Sequence, residues 1–180
     1  MIKKIKASKS EKIIFFFLIS LAIFSLSSFF LIKNKCLFVK NYNPEKLSFD
    51  KPNNIAILNV ECGNVIIELY PNISPNAVER FKTLVRSKAY DDVAFHRVIK
   101  DSLVQAGDLE FGKKGNIDYG KIGTGQSGLG TINSEVDVPF NYERGSVGLA
   151  RTQKYNTEDS QFFITLKDEP LYESEYTPIG

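Results

Sequence analysis

The stretch Phe95–Asp108 reads FHRVIKDSLVQAGD, and Ser160–Thr165 later reads SQFFIT. Each is a short apolar run typical of a β-strand with turn residues beside it, and each carries polar side chains within the apolar run. With the strand period of two, the residues predicted to share a face are Phe95, Arg97 and Ile99 on the first strand, Leu103 and Gln105 on the second, and Gln161 and Phe163 on the third. One Arg and two Gln are therefore expected to meet beside apolar residues on a single sheet surface.

Two interpretations of Arg97 are open at this point. An Arg among apolar strand residues is most often an edge residue whose stem covers apolar surface while its charge reaches water or a carboxylate. The alternative is that Arg97 faces a groove together with Gln105 and Gln161. On that face Phe163 points toward the groove, while Phe162 and Ile164 point to the core.

Four separated motifs, FHRVI, QAGD, GSVGLAR and DSQFFIT, follow one another in the order and spacing of the cyclophilins. The chain resembles this family of peptidyl-prolyl cis/trans isomerases from about Ile55 to Gly180. The resemblance implies a mainly β, antiparallel barrel with a flanking helix. It also implies rotation of X-Pro bonds in proline-containing polypeptides by a monomer that needs no cofactor.

The resemblance also assigns site residues by position. It makes Arg97 and Gln105 the catalytic residues, Arg97 as the catalytic arginine and Gln105 through a hydrogen bond to the substrate backbone. The expected substrate-binding residues are Leu103 and Phe163 in the proline pocket, Ala150 and Arg151 along the extended peptide, and Gln161, Tyr172, Tyr176 and Ser102 around them.

Ser102 is the main departure from the family pattern, since a Phe usually lines the proline pocket at that position. Tyr172 stands where a Leu is usual. Burial of a Phe side chain contributes about 1.5–3 kcal/mol, so we expect a shallower, wetter pocket unless a neighbour such as Tyr172 refills it. A proline-peptide-binding module or chaperone with little catalysis is therefore an alternative function.

The amino-terminal segment is basic and then strongly apolar. Residues 1–12 contain five Lys, and residues 13–32, IIFFFLISLAIFSLSSFFLI, carry no charge. Twenty apolar residues are about the length of a transmembrane helix. Because Ser25-Leu26-Ser27 is a poor cleavage site, we expect a single-pass signal anchor; a cleaved signal peptide is the alternative.

The residues around this apolar segment bear on its membrane orientation and on the linker that follows it. Lysines flank both of its ends, so charge bias is weak, but long domains translocate largely regardless of charge. We expect the domain on the extracytoplasmic side, joined through a polar linker over residues 33–54. Cys36 and Cys62 are expected to stay unpaired, although an oxidising compartment would allow them to pair.

The domain over residues 55–180 is predicted to open with a hairpin, Ile55–Val60 and Val65–Leu69. A helix is then predicted after Ser74, its apolar face formed by Ala77, Phe81, Leu84 and Val85. Residues 112–133 are Gly-rich but lack the ending of a phosphate-binding loop, so a surface loop with several positive φ angles is expected. Short strands with few helices favour a closed antiparallel barrel.

Charge and motif content exclude several other functions. Residues 1–40 hold eight Lys and one Glu, leaving 15 basic and 20 acidic residues in 41–180, or a net charge of −5. Such a domain is not expected to bind nucleic acid. His96 is the only His, and no metal site or hydrolytic set is predicted. The family continues past the position of Gly180, so we expect a domain shortened at its carboxyl end; a poorly folded product without function is the third alternative.

Overall fold

A computed structural model of the 180-residue chain describes residues 8–33, 36, 39 and 43–180. Parts of the predicted basic segment and of the predicted linker lie outside the described residues. The chain divides into two compact units, one made of residues 1–44 with 59–65 and the other of 45–58 with 66–180.

The first unit contains helix α1, Lys9–Lys33, which includes the predicted apolar run. Ser8 and Glu11 begin it as a capping box, because the Glu11 carboxylate accepts from the Ser8 amide at 2.7 Å and the Ser8 hydroxyl accepts from the Glu11 amide at 3.2 Å. Its large apolar side chains are exposed. Among the described residues α1 alone is long and apolar enough to cross a membrane, a test that a signal sequence near the amino terminus also passes.

Cys36 and Cys62 form a disulfide in the first unit, with their Cα atoms 4.9 Å apart. The expectation of two unpaired thiols is therefore wrong. The two cysteines are 26 residues apart in sequence, and the sequence alone does not show that the folded hairpin brings residue 62 close to residue 36.

The described residues after α1 form six strands, a second α-helix and three short 3-10 helices. The strands are β1 (Ile55–Val60), β2 (Gly63–Glu68), β3 (Arg97–Ile99), β4 (Leu103–Ala106), β5 (Val147–Leu149) and β6 (Phe162–Thr165); helix α2 is Pro75–Arg86, and the 3-10 helices are Pro44–Lys46, Pro52–Asn54 and Pro170–Tyr172. The predicted hairpin corresponds to β1 and β2, which form one sheet, and the other strands form an antiparallel sheet in the order β3-β4-β6-β5.

The described strands do not close into the barrel predicted from the sequence. Residues 177–180 run between the two sheets, where the Tyr70 amide donates to Ile179. Next to β5, Pro178 bridges to Gly148, and the Leu149 and Ile179 amides donate to Thr177 and Val147 on either side of this bridge.

Helix α2 begins after Ser74, as predicted, but a distant carboxylate caps it. The Ser74 hydroxyl makes no capping bond, and Glu135 instead accepts from the amides of Asn76 and Ala77 at 3.3 and 2.9 Å. The buried face of the helix consists of Ala77, Val78, Phe81 and Leu84. Val85 is 39% exposed, so its predicted place on this face is wrong.

The main core lies between α2 and the four-stranded sheet. Phe162 packs edge-on against Phe81 and Tyr90, with ring centroids 5.4 and 5.5 Å apart. Ile164 packs against the same core, while Phe163 belongs to a separate cluster on the opposite sheet face. The predicted alternation of β6 is therefore confirmed, and it leaves one sheet face for a site.

Candidate active site

The register of the four-stranded sheet brings the predicted polar side chains together. Arg97 pairs with Gln105 across β3 and β4, and Gln105 pairs with Phe163 across β4 and β6. Directly opposed residues in an antiparallel sheet point to the same face. Phe95 is an exception to the prediction, because it precedes β3 and packs against the main core.

Hydrogen bonds link the polar side chains in series. The Arg97 guanidinium donates to the Gln105 side-chain carbonyl at 3.3 Å, and the Gln105 amide donates to the Gln161 carbonyl at 3.0 Å. Each glutamine is thereby held in one orientation. Arg97 itself is exposed on the edge strand, and among the described residues no carboxylate forms an ion pair with it.

The Gly-rich loop fixes the far end of this series. The Gln161 amide donates to the backbone carbonyls of Gly123 and Gly125 at 3.1 and 3.0 Å. The Asp108 carboxylate in turn accepts from the amides of both glycines at 2.6 and 3.0 Å. Gly123 has a φ of +94°, and a Cβ at Gly125 would collide with the Asp108 carboxylate; both positions therefore require glycine.

Asp108 is fully buried, and four backbone amides determine its ionisation. One carboxylate oxygen accepts from the Glu110 and Phe111 amides at 3.2 and 2.8 Å, and the other accepts from the two glycines of the loop. Burial raises the pKa of Asp108, but these amides outweigh it and hold the pKa below its ordinary value. Sequence reasoning did not predict that Asp108 holds the Gly-rich loop. The signal that could have indicated it is an Asp that directly follows the Gln105–Gly107 stretch.

His96 lies next to this series but carries no positive charge. Burial lowers the pKa of His96, and the nearby Asp108 carboxylate only partly opposes that effect. The imidazole is therefore neutral at pH 7. The positive charge next to Gln105 therefore comes from Arg97 and not from His96.

An aromatic cluster lies on the same sheet face. Its buried members are Leu103, Tyr142 and Phe163, and the residues packed around them are Phe140, Ala150, Tyr172 and Tyr176. Tyr142 stacks on Phe163 with centroids 5.9 Å apart, and its hydroxyl donates to the Tyr176 carbonyl at 3.1 Å. Phe140 and Tyr142 were not predicted, because the loop that carries them is brought to the sheet only by tertiary packing.

Tyr172 supplies an aromatic ring next to Ser102. Its ring lies 5.5 Å from that of Phe163 and 4.9 Å from that of Tyr176. Burial and then the Glu169 charge raise the pKa of Tyr172, while Arg97 and the Ser102 hydroxyl oppose that rise. The Ser102 hydroxyl donates to Glu169 at 3.0 Å. The Tyr172 ring therefore adds apolar contact to the aromatic cluster next to Ser102.

A pocket of about 260 Å³ opens next to the two glutamines. Its lining includes Gln105, Gln161, Ala150 and Arg151. The Ala150 backbone amide donates to the Gln161 backbone carbonyl at 2.8 Å, so this amide is already used within the protein. Ala150 belongs both to the pocket lining and to the residues packed around the aromatic cluster.

The family model for cyclophilin type peptidyl-prolyl cis-trans isomerases matches residues 55–180. The chain belongs to the cyclophilin family. A probable peptidyl-prolyl cis-trans isomerase of Brucella suis is 43% identical over 132 residues, which cover 72% of this chain and 66% of that protein. The chain thus spans slightly less than two thirds of the length of this relative.

Solved structures support the cyclophilin fold. A cyclophilin type isomerase of Cryptosporidium parvum, crystallised in the presence of the dipeptide Ala-Pro, is 30% identical, with a TM-score of 0.57 over 66% of this chain and 71% of that one. The cyclophilin AquaCyp293 of Hirschia baltica is 21% identical, with a TM-score of 0.60 over 78% and 70% of the two chains.

Replacement of Asp108 by Asn should lower the free energy of unfolding by about 2–3 kcal/mol at pH 7, because an amide nitrogen cannot accept two of the four hydrogen bonds. The folded chain lowers the pKa of Asp108. The ionised carboxylate therefore contributes fully to the free energy of unfolding above the pKa of the unfolded chain, about 3.9, and this contribution is lost as the pH falls through the lower pKa of the folded chain. Urea unfolding at pH 7 and at successively lower pH should show the two proteins converging in acid.

Asp118→Asn is the matched control, because Asp118 lies in the same loop with a side chain 44% exposed. It should change stability by no more than about 0.5 kcal/mol. A constant difference between wild type and Asp108→Asn across the whole pH range would contradict the charged role of Asp108.

Proposed function

We propose that the chain catalyses cis/trans isomerisation of X-Pro bonds in polypeptides and so assists protein folding. The observation that carries the proposal is the Arg97 guanidinium, held 3.3 Å from Gln105 next to the aromatic cluster. Family membership supports the same activity, as does the likeness to the Cryptosporidium parvum isomerase crystallised in the presence of Ala-Pro.

The reaction needs no covalent intermediate. The barrier of about 18–20 kcal/mol arises from amide resonance, which is lost when the C–N bond twists. A planar, permanently charged guanidinium at the prolyl amide stabilises the twisted state, in which the nitrogen lone pair is localised. Arg97 is the proposed catalytic residue.

The other predicted residues are proposed to bind the substrate. Gln105 keeps one side-chain N–H beyond its bond to Gln161 and is proposed to donate it to the peptide backbone, with Gln161 holding it in place. Leu103 and Phe163 contact the proline ring. A proline ring has no donor, so its affinity for the site depends on apolar and aromatic contact. In this proposal the prolyl amide meets Arg97 and the ring meets the aromatic cluster, so catalysis and binding use different residues.

Replacement of Arg97 by Ala should reduce the catalytic constant by about 10²–10³-fold, the loss typical of removing one transition-state donor. Arg97→Lys should recover little, because an ammonium lacks the planar fork. The measurement is a proline-isomerisation assay on the full chain in detergent micelles, with thermal unfolding in parallel.

Arg86→Ala is the control for loss of an arginine, since Arg86 forms a surface pair with Glu79 in which both side chains are 65% exposed. Activity should be unchanged in that variant. If Arg97→Ala retains wild-type activity, or if it loses folding in parallel with activity, Arg97 is an edge residue and not the catalytic one.

We further propose that Ser102 and Tyr172 form an exchanged pair in which Tyr172 supplies the aromatic wall that the family usually builds at position 102. The contact of Tyr172 with Phe163 supports this assignment. It also weakens the case for a binding module with little catalysis, because that alternative depended on the apolar area missing at Ser102.

A double-mutant cycle tests the exchanged pair. Tyr172→Leu alone should lower catalytic efficiency by about tenfold, as roughly 1.4 kcal/mol of apolar contact is lost. Ser102→Phe alone should give no gain, because Tyr172 already fills the cluster and the bond to Glu169 is broken. The double variant should recover much of the loss, a coupling typical of residues in contact. Additive effects of the two substitutions would disprove the exchange.

We also propose that α1 is an uncleaved, single-pass membrane anchor that holds the domain on the extracytoplasmic side. The length of α1 supports an anchor, and the Cys36–Cys62 disulfide supports an oxidising compartment.

The full-length chain should remain in the membrane pellet after alkaline carbonate washing. Maleimide should label its cysteines only after reduction, whereas Cys62→Ser should expose Cys36 to labelling without reductant. A soluble product that begins near Ser28 would show a cleaved signal peptide. Ready labelling of the untreated wild type would place the domain in a reducing compartment.

A further inference from the structure

The Arg151 side chain is only 8% exposed, although it follows β5 in a polar loop. Its Nε donates to the Glu175 backbone carbonyl at 2.9 Å, and its Nη2 donates to the Glu175 carboxylate at 2.8 Å. The third nitrogen, Nη1, donates to the Thr152 carbonyl at 3.0 Å. Every guanidinium nitrogen therefore has a partner within the protein, although Arg151 also lines the pocket beside the two glutamines.

Two tyrosine rings contact the same guanidinium. Its central carbon lies 4.1 Å from the centroid of Tyr155 and 5.1 Å from that of Tyr176. The Tyr155 hydroxyl also donates to the Glu175 carboxylate at 3.0 Å. We call Arg151, Tyr155, Glu175 and Tyr176 the arginine strap.

Tyr176 connects the arginine strap to the aromatic cluster. Its ring lies 5.2 Å from Phe163 and 4.9 Å from Tyr172 on the cluster side, with the Arg151 guanidinium as a further contact. The segment between the 3-10 helix and Tyr176 is a turn in which Ser174 has a φ of +58°. The Glu175 and Tyr176 amides donate to the Tyr172 carbonyl and hold the backbone of this turn. Within it, the Tyr176 ring contacts Phe163, Tyr172 and the Arg151 guanidinium, and these contacts set its orientation.

We propose that Arg151 is a positioning residue that sets the Tyr176 ring against the aromatic cluster and thereby determines affinity for the proline ring. This inference rests on the proposed function, since it assigns a role within the same site. It predicts that loss of Arg151 weakens peptide binding, while turnover of the bound peptide, which depends on Arg97, is preserved.

The strap also determines the charge next to the 260 Å³ pocket that Arg151 helps to line. Paired with Glu175, the guanidinium is neutralised and its nitrogens are occupied. The intact site should therefore accept uncharged residues next to proline and should not select acidic ones. Removal of the Glu175 charge frees a cation and should create that selection.

The test uses the full chain in detergent micelles and proline peptides that differ by Ala, Glu or Lys next to proline. NMR titration gives the dissociation constant, and exchange at saturation gives the rate of the bound peptide. Arg151→Ala should weaken binding of the Ala peptide by about fivefold with the saturated rate changed less than twofold. Arg151→Lys should restore little, because it cannot make the forked contact to Glu175.

Glu175→Gln provides a second variant, because the Glu175 side chain is 52% exposed and its loss should leave the fold intact. This variant should bind the Glu peptide about threefold more tightly than the Lys peptide, whereas the wild type should bind them alike. Arg86→Ala, with Glu79 as the partner left behind, should behave as the wild type in both measurements.

The outcomes separate the two proposals. A wild-type chain without isomerase activity overturns the proposed function. An active wild type whose Arg151→Ala variant binds equally well, or loses rate at saturation with unchanged affinity, overturns the strap. If Arg151→Ala does not fold, Glu175→Gln decides alone: equal affinities for the Glu and Lys peptides in that variant overturn the strap.

Discussion

The candidate site depends on one buried carboxylate, that of Asp108. A buried charge is tolerated only when hydrogen bonds replace its hydration, and four backbone amides do so here. Two of those amides belong to Gly123 and Gly125, whose carbonyls in turn accept from Gln161. The ionised state of one residue therefore fixes a loop, and the loop fixes the polar end of the proposed catalytic series.

The two faces of the four-stranded sheet pack in different clusters. Phe162 and Phe163 are neighbours in β6, yet one packs in the main core and the other in the aromatic cluster. The same alternation places Gln105 on the site face opposite Phe163. Aromatic contacts on the site face also stabilise a surface that would otherwise be an exposed apolar patch, so substitutions there affect both affinity and stability.

Two positions show how tertiary contacts change a role inferred from similarity. Ser102 lacks the phenyl group usual in the family, but the Tyr172 ring stands in the same cluster. Arg151 lines the pocket, as expected for a residue along the groove, and its guanidinium is in addition bound to Glu175. In both cases the compensating residue lies more than twenty positions away, so the motif alone cannot reveal the change.

Local pattern was sufficient for the elements that depend on neighbours in sequence: the apolar helix α1, the β1–β2 hairpin, the start of α2 and the alternating faces of β4 and β6. The strand period within the family motifs was sufficient to predict that Arg97, Gln105 and Phe163 lie on one face of the sheet. Only the tertiary structure decided the Cys36–Cys62 disulfide, the Glu135 cap, the open arrangement of the sheets and the arginine strap. These features join residues far apart in the chain, and their formation depends on the three-dimensional path of the backbone, which short-range periodicity does not encode.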